Sequence, residues 1–435
     1  MDELSQRFFE TLLQTQFLPP DRMLRYQRRL LGRLLRHARA TVPYYRDSGR
    51  LDPLFMADDS IDWDRWGEVP VLTRSEAQAH ADRLYAESLP PDCGDIQNGI
   101  TSGSTGKPLA FRVNNIMAAA GSAVLERALT WADTPPVRTL GYLLNPKEGE
   151  GQYPHGTVYR MRIRSVDRDM HLLAARTPLD QQAEWIARLR PELVMGYPNA
   201  LAELAGNLSY ALANHRFALA VCVGEVASPA ARRAIEQGFR CPSIDIYSGS
   251  EFGVVAAEDR KTGRMMMTDE IMLVEAAHSD LAVDNDALSE LIVTPFYNYA
   301  MPLIRYSTGD LAVVDNAAAP DRRTLQRLKR VVGRQRDIFI LPSGRRWWPQ
   351  FTTTARIAED LDFEQIQYVQ TARGRVELRF VSRMAQPLRN EPALMIKLRA
   401  AAPEPIEFVL RQVPTIARHS SGKFIDYVCE LTEPN

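Results

Sequence analysis

The chain has 435 residues, room for two or three domains and a large core at roughly 150 residues per domain. Apolar residues make up 45% and charged residues 25%, a globular mix, while 53 basic against 54 acidic side chains leave a net charge of −1. That balance excludes a global positive field for nucleic acid, and the lack of any run of about 18 apolar residues excludes a membrane-spanning helix.

Four scattered cysteines (Cys93, Cys222, Cys241 and Cys429) form no CxxC pair and no disulfide framework. The histidines never approach one another at metal-ligand spacing. The opening stretch MDELSQRFFE is acidic and polar, where a secretory signal is basic and then apolar. The expectation is a reduced, soluble, cytoplasmic enzyme with neither nucleic acid nor membrane as partner.

Residues 21–39, DRMLRYQRRLLGRLLRHAR, put Leu24, Leu31, Leu34 and Leu35 near one face with arginines around the rest, and Asp21 as N-cap. A basic amphipathic helix can lie on anionic membrane or nucleic acid. The balanced chain charge favours packing of the leucines on the core instead.

From about 100 to 310 short apolar strands alternate with helical stretches. Strands are predicted at 137–144, 191–198, 217–225 and 242–249, and helices at 179–190, 199–215 and 228–239. Such alternation predicts an α/β fold built on a mainly parallel sheet, with ligands at the carboxyl ends of its strands. The segments VGE (223–225) and YSGSE (247–251) fall at those ends. After about 265 the pattern turns to β, with MLVEA, SELIVTPFY and LAVVD as short strands. From GRQRDIFI (333–340) and SGRRWWP (343–349) to the end, IQYVQTA, VELRFV and IDYVCEL predict a small α+β unit of about a hundred residues, with its boundary near 332–336.

The strongest local signal is ITSGSTGKP (100–108), a Gly/Ser/Thr-rich loop offering backbone N–H groups, hydroxyls and one ammonium to polyphosphate oxygens. It is not a P-loop, which would need glycine where Thr101 stands and Ser or Thr where Pro108 stands. YSGSEFG (247–253) closes a strand with Tyr247, able to stack on a base, Ser250, able to donate to a phosphate oxygen, and Glu251, able to hold Mg²⁺. MPLIRYSTGDL (301–311) delivers Asp310 through a Gly turn, suited to the two hydroxyls of a ribose. RHSSGKF (418–424) presents Lys423 after a Ser-Ser-Gly run.

Taken with LLRHARATVPYYRDSG (34–49), VPVLTRSEA (69–77), GYPNALAELA (196–205), VGE and GRQRDIFI, these segments resemble the adenylate-forming superfamily, in its phenylacetate–CoA ligase and capsule-biosynthesis-like branch. The resemblance spans nearly the whole chain. It implies a large N-terminal AMP-binding domain, residues 1–332, and a small mobile C-terminal lid, residues 333–435. Carried over residue by residue, Thr101, Ser102, Gly103, Ser104, Thr105, Gly106 and Lys107 would form the phosphate loop. Gly224 and Glu225 would border the adenine and Tyr247 would stack on it, with Ser248 in the same turn. Ser250 would touch the α-phosphate, Glu251 would coordinate Mg²⁺, Asp310 would bind ribose beside Arg334, and Lys423 would be the catalytic lysine of the lid.

The implied activity is ATP- and Mg²⁺-dependent formation of an acyl-adenylate from a small organic acid, aromatic by analogy, followed by transfer to CoA. A non-CoA acceptor (an amine, a carrier-protein thiol or a small inorganic nucleophile) and a non-catalytic nucleotide-binding homologue are the alternatives. The acyl pocket is implied between Tyr142, the loop 145–156 with Tyr153 and His155, Tyr197 and Gly224, and Lys147 would be free to pair with a second acid group. The hinge position is Arg336. Trp347 and Trp348 would either pack in the lid core or narrow the thiol tunnel, and Arg345 and Arg346 would offer charge to CoA phosphates. A homodimer is the assembly this branch suggests.

Overall fold

The structure is a computed structural model. It describes residues 2–101, 108–164, 166–208, 212, 214–283, 285–317, 321–349, 351, 357–363, 365–382, 384–417 and 424–431. Contacts divide the chain into two compact units: Met1–Ala277, Leu291–Thr308 and Val314–Val331 make unit 1, and His278–Glu290, Gly309–Val313 and Val332–Asn435 make unit 2.

Unit 1 opens with four helices, α1 (Asp2–Thr15), α2 (Pro20–Thr41), α3 (Pro43–Ser48) and α4 (Arg74–Ala79). In α2 the buried stripe is Leu30, Leu31, Leu34, Leu35 and Ala38, with arginines on the outer face. Leu24 lies off that stripe and is 46% exposed. Asp21 is not the cap. Pro20 starts the helix, where a missing N–H costs nothing, and Asp21 pairs with Arg25 one turn on at 2.7 Å.

The hairpin β1 (Ile96–Ile100) and β2 (Ala110–Asn114) leads into α5 (Asn115–Trp131) and then the main sheet. Its parallel core is formed by β3 (Thr139–Leu144), β5 (Val166–Ala174), β6 (Leu193–Gly196), β7 (Leu219–Val223) and β8 (Ser243–Gly249), with β4 (Thr157–Ile163) as an antiparallel edge. The crossovers are α6 (Leu179–Leu189), α7 (Pro198–Ala205) and α8 (Pro229–Phe239). Strands β6 and β7 read LVMG and LAVCV, apolar without alternation, because both of their faces are covered. Leu193, Met195, Leu219, Val221, Ile244 and Ile246 pack with α1 and α5 on one face. Val194, Ala220, Cys222 and Leu143 pack with α6, α7 and α8 on the other. The helix expected over 199–215 stops earlier, at Ala205, with Gly206 as its C-cap.

Beyond β8 the sheet continues with β9 (Gly253–Asp259), β10 (Arg264–Met267), β11 (Met272–Val283), β12 (Asp286–Pro295), β13 (Tyr306–Val314) and β14 (Arg327–Arg334), where β9 pairs antiparallel with β8 and β10, and β10 with β14. Hydrogen-bonded neighbours follow the order β11-β12-β13-β14-β10-β9-β8-β7-β6-β3-β5-β4.

Unit 2 contains β15 (Phe339–Ile340) and β16 (Arg346–Trp347), a four-stranded sheet of β17 (Gln365–Ala372), β18 (Arg375–Val381), β19 (Glu407–Gln412) and β20 (Tyr427–Cys429), and helix α9 (Glu391–Ala401). Phe339, Phe351, Tyr368, Leu378 and Phe408 centre its core. Trp347 packs on that core against Phe339 and Phe351. Trp348 is buried in a second cluster with Leu281, Leu288, Leu311, Val313 and Ile338. Gly333 is glycine by necessity, since a Cβ there would stand 2.4 Å from the Trp348 ring.

Among the buried ion pairs of unit 1 are Arg127 with Glu270 and Arg168 with Glu126. Both members of the first are 0% exposed, and Arg127 also lies over the Trp131 ring at 4.7 Å. Replacing Arg127 by Met is expected to cost about 3–5 kcal/mol, because it strands the Glu270 carboxylate without a counter-charge. Urea denaturation of this variant and of Arg127→Met/Glu270→Met checks the cause. The double variant should regain most of the loss, and one no more stable than the single would assign the loss to packing.

Candidate active site

Three adjacent parallel strands end together. In register Gly196 faces Cys222, and Val223 faces Ile246, so Tyr197, Gly224 and Tyr247 follow on neighbouring strands at the carboxyl edge. Neighbouring strands lie about 4.8 Å apart, so side chains more than twenty residues distant in sequence become lateral neighbours. Gly224 holds φ +77°, the left-handed conformation that favours glycine, as the chain leaves β7. Glu225 accepts from Asn199 Nδ2 at 3.2 Å. Tyr197 is buried, and that burial pushes its phenol up to about 12.

After Tyr247 and Ser248 the chain turns through Ser250 and Glu251 into β9, and Gly249 pairs with Gly253 across the turn. Any Cβ at Gly249 would stand 2.2 Å from the Phe252 ring, so the buried phenyl and the glycine form one unit that fixes the turn. Glu251 is thereby set inward, 6% exposed. Arg74 Nη1 donates to its Oε1 at 2.9 Å, and Tyr306 Oη donates to the same oxygen at 3.3 Å. Arg74 Nη2 donates to Thr101 Oγ1 at 2.6 Å.

Thr101 itself is closed on Leu109: its N–H donates to the Leu109 carbonyl and its Oγ1 accepts the Leu109 N–H, each at 2.9 Å. The two ends of the Gly/Ser/Thr-rich loop are therefore pinned. One guanidinium ties that pinned base to Glu251.

Arg74 was not singled out by its chemistry in the sequence. The signal was there in Thr73-Arg74-Ser75-Glu76, a capping box. Thr73 caps α4 by accepting the Glu76 N–H at 3.2 Å, which makes Arg74 the first helical residue. The sequence alone does not show which way that residue points.

In unit 2, Asp310 on β13 is 8% exposed and pairs with Arg334 Nε at 3.4 Å. Gly309 before it has φ +71°. Ser102, Gly103, Ser104, Thr105, Gly106, Lys107 and Lys423 lie outside the described residues, as does the side chain of Arg336.

The residues assigned to the acyl pocket are not all brought together. Tyr142 faces Met195, two residues short of Tyr197, and packs on the α1/α5 side of the sheet. Tyr153 packs on the opposite, α6–α8 side, where its Oη donates to Glu184 on α6 at 2.7 Å, and His155 is exposed. Lys147 Nζ reaches Gln97 Oε1 at 3.4 Å.

Beneath the strand ends Arg232 of α8 binds Asp245 of β8 at 3.1 Å and Glu258 of β9 at 2.7 Å. Burial raises the Asp245 carboxyl from 3.8 to about 7, against the pull of Arg232 and with the push of Glu258. The folded state thus holds this proton more tightly than the unfolded chain. The group's contribution is fully present below about pH 4 and is lost as the pH rises through about 7. Replacing Asp245 by Asn should shift the stability difference in the variant's favour by about 2 kcal/mol between pH 5 and pH 7, read by denaturant unfolding at both. A difference independent of pH would refute this.

No family model matches the chain. It is 25% identical over 341 residues to a phenylacetate–coenzyme A ligase of Thermus thermophilus, covering 74% of this chain and 73% of that one. Over 109 residues, 25% of this chain and 23% of the relative, it is 30% identical to the CapK protein of Staphylococcus aureus. A crystal structure of 2-hydroxyisobutyryl-CoA ligase in the postadenylation state with 2-HIB-AMP superposes with a TM-score of 0.72 at 16% identity, over 95% of this chain and 90% of that one.

The chain shares the fold of that ligase. In sequence the chain resembles these homologues, named phenylacetate–coenzyme A ligase and CapK. Among the described residues no helix is long and apolar enough to cross a membrane.

Proposed function

We propose that the protein activates an organic acid with ATP and transfers the acyl group to CoA, with residues 1–332 as the AMP-binding domain and 333–435 as the lid. The observation that carries this reading is the tie from Glu251 through Arg74 to Thr101, which sets a buried carboxylate beside the base of a phosphate-type loop at the carboxyl edge of a parallel sheet.

In the first half-reaction a carboxylate oxygen of the acid attacks the α-phosphorus, the bond to the pyrophosphate oxygen breaks, and pyrophosphate leaves. Two anions must meet, so positive charge has to be waiting where negative charge develops. Lys107 and Lys423 are assigned that role, Ser250 the α-phosphate, and Asp310 with Arg334 the ribose. Tyr247, Gly224 and Glu225 take the adenine. In the second half-reaction the thiol sulfur attacks the acyl carbon and AMP departs.

Glu251 suits a Mg²⁺ ion. Its Oε1 is engaged by Arg74 and Tyr306, while Oε2 takes no hydrogen bond among the described residues. The described residues hold no group of three or more His, Cys, Asp or Glu side chains fit to bind a metal unaided, so nucleotide phosphates would supply the remaining ligands. When bound, the ion neutralises phosphate charge.

The packing of Trp347 and Trp348 against unit 2 apolar clusters supports CoA as acceptor, because it accounts for both rings without a blocked thiol path. An aryl acid follows the name of the Thermus relative. Pyrophosphate release from ATP against aryl, arylacetic, cinnamic and short aliphatic acids, each with and without CoA, tests the proposal. Acid-dependent release coupled to a thioester is expected. Adenylation that CoA neither speeds nor consumes would reassign the acceptor, and activity confined to aliphatic acids would reject the aryl assignment.

A further inference from the structure

Arg305 stands immediately before Tyr306, and its backbone has φ +51°, in the left-handed region where a long L side chain is strained. Strain of this kind persists only where the surroundings over-determine it. Here its N–H donates to Thr294 Oγ1 at 2.8 Å, and its carbonyl accepts the Leu72 N–H at 2.9 Å.

Its side chain is 14% exposed, and each of its three nitrogens has a partner. Nε and Nη2 form a fork on the Glu275 carboxylate at 3.2 and 3.0 Å, while Nη1 donates to the carbonyls of Gly67 (3.1 Å) and Val69. The plane lies 5.8 Å from the centre of the Trp66 ring. One side chain therefore holds 66–69, the end of the 3₁₀ helix Trp63–Glu68 and its cap, and the backbone at 305 and 307 holds Leu72 on both sides, since Ser307 N–H donates to the Leu72 carbonyl at 3.0 Å.

What this segment delivers is Arg74, two residues past Leu72. The residue following Arg305 is Tyr306, and both Arg74 and Tyr306 donate to Glu251 Oε1. Arg305 thus holds the segment that delivers Arg74 to Glu251 without touching Glu251 itself.

We propose that Arg305 is a positioning residue for the activation step, acting through segment 66–72 and Arg74 on Glu251 and the loop base at Thr101. This rests on the proposed role of Glu251 in adenylation. A lysine cannot grip a carboxylate and two carbonyls at once, so Arg305→Lys keeps the charge and loses the clamp. Misplacement of a reacting group by about 1 Å costs roughly 10²-fold, which sets the scale of the effect.

Two measurements separate this proposal from the reading beneath it. Hydrogen exchange on the ligand-free protein compares wild type, Arg305→Lys and Glu275→Gln; the last loosens the clamp from its far side and leaves residue 305 intact. Faster exchange is expected in both variants at 69–74 and also at 250–253, at unchanged Tm. Faster exchange at 66–74 alone would overturn the proposal, whatever the enzyme's activity. Single-turnover adenylation then compares Arg305→Lys, Arg74→Ala and the double variant, with a roughly 10- to 100-fold fall expected for Arg305→Lys. The double variant should be no slower than Arg74→Ala alone. Losses that multiply, or an Arg305→Lys rate equal to wild type, would also overturn it. A wild type that adenylates no acid would remove the assigned function, while the exchange result would still decide whether Arg305 orders the Glu251 turn.

Discussion

Replacing Glu251 by Gln is expected to slow acyl-adenylate formation by roughly 10²–10³-fold, the usual cost of one preorganised charge at a reacting phosphate. The amide is nearly isosteric and still accepts from Arg74 and Tyr306 through its oxygen, so the turn fixed by Gly249 and Phe252 should survive. What disappears is the negative charge. The site then carries Arg74 without its counter-ion, and a divalent cation meets a repelling guanidinium instead of a carboxylate. The metal concentration for half-maximal pyrophosphate release should rise steeply, while ATP affinity measured without metal should change little. Wild-type rates and metal dependence in this variant would remove Glu251 from the mechanism.

The second large effect is assigned to Lys423. Its alanine variant should lose adenylation by roughly 10²–10³-fold, yet bind ATP nearly as well, since one ammonium near the α-phosphate matters most as charge develops in the transition state. Thioester formation from supplied acyl-adenylate should be almost unaffected, because that half-reaction does not attack phosphorus. Measuring the two half-reactions separately makes the distinction. Equal losses in both would point to a damaged lid rather than a missing charge. The chain offers a control for such damage, since β20 follows four residues later and is tied to β17 through Tyr427 stacked on Tyr368 at 5.3 Å.

The parallel strands were legible because strands covered on both faces are apolar without interruption, and their ends are punctuated by Gly, Pro and polar residues. That sufficed to place Gly224, Tyr247 and Glu251 at one edge. Helix α5 is not legible for the converse reason: NIMAAAGSAVLERALTW is packed nearly all round, with Glu126 and Arg127 buried in ion pairs, so it shows no 3.6-residue polarity. In α2 the arginine face is legible, but the leucine pattern does not separate Leu24, which is exposed, from Leu30, which is buried on the stripe.

By itself the sequence determined the fold class, the order of the nucleotide motifs and the identity of the candidate groups, since these depend on local periodicity and on residue chemistry. Only the tertiary structure decided how those groups are oriented. It set Arg74 between Glu251 and Thr101 across separations of 177 and 27 residues. It also sent Tyr153 to the face of the sheet opposite Tyr142. The physical reason is that direction at a strand end or helix start is settled by partners distant in sequence: a carboxylate 30 residues from Arg305, a phenyl ring against Gly249, a neighbouring strand in register. No local pattern carries those vectors.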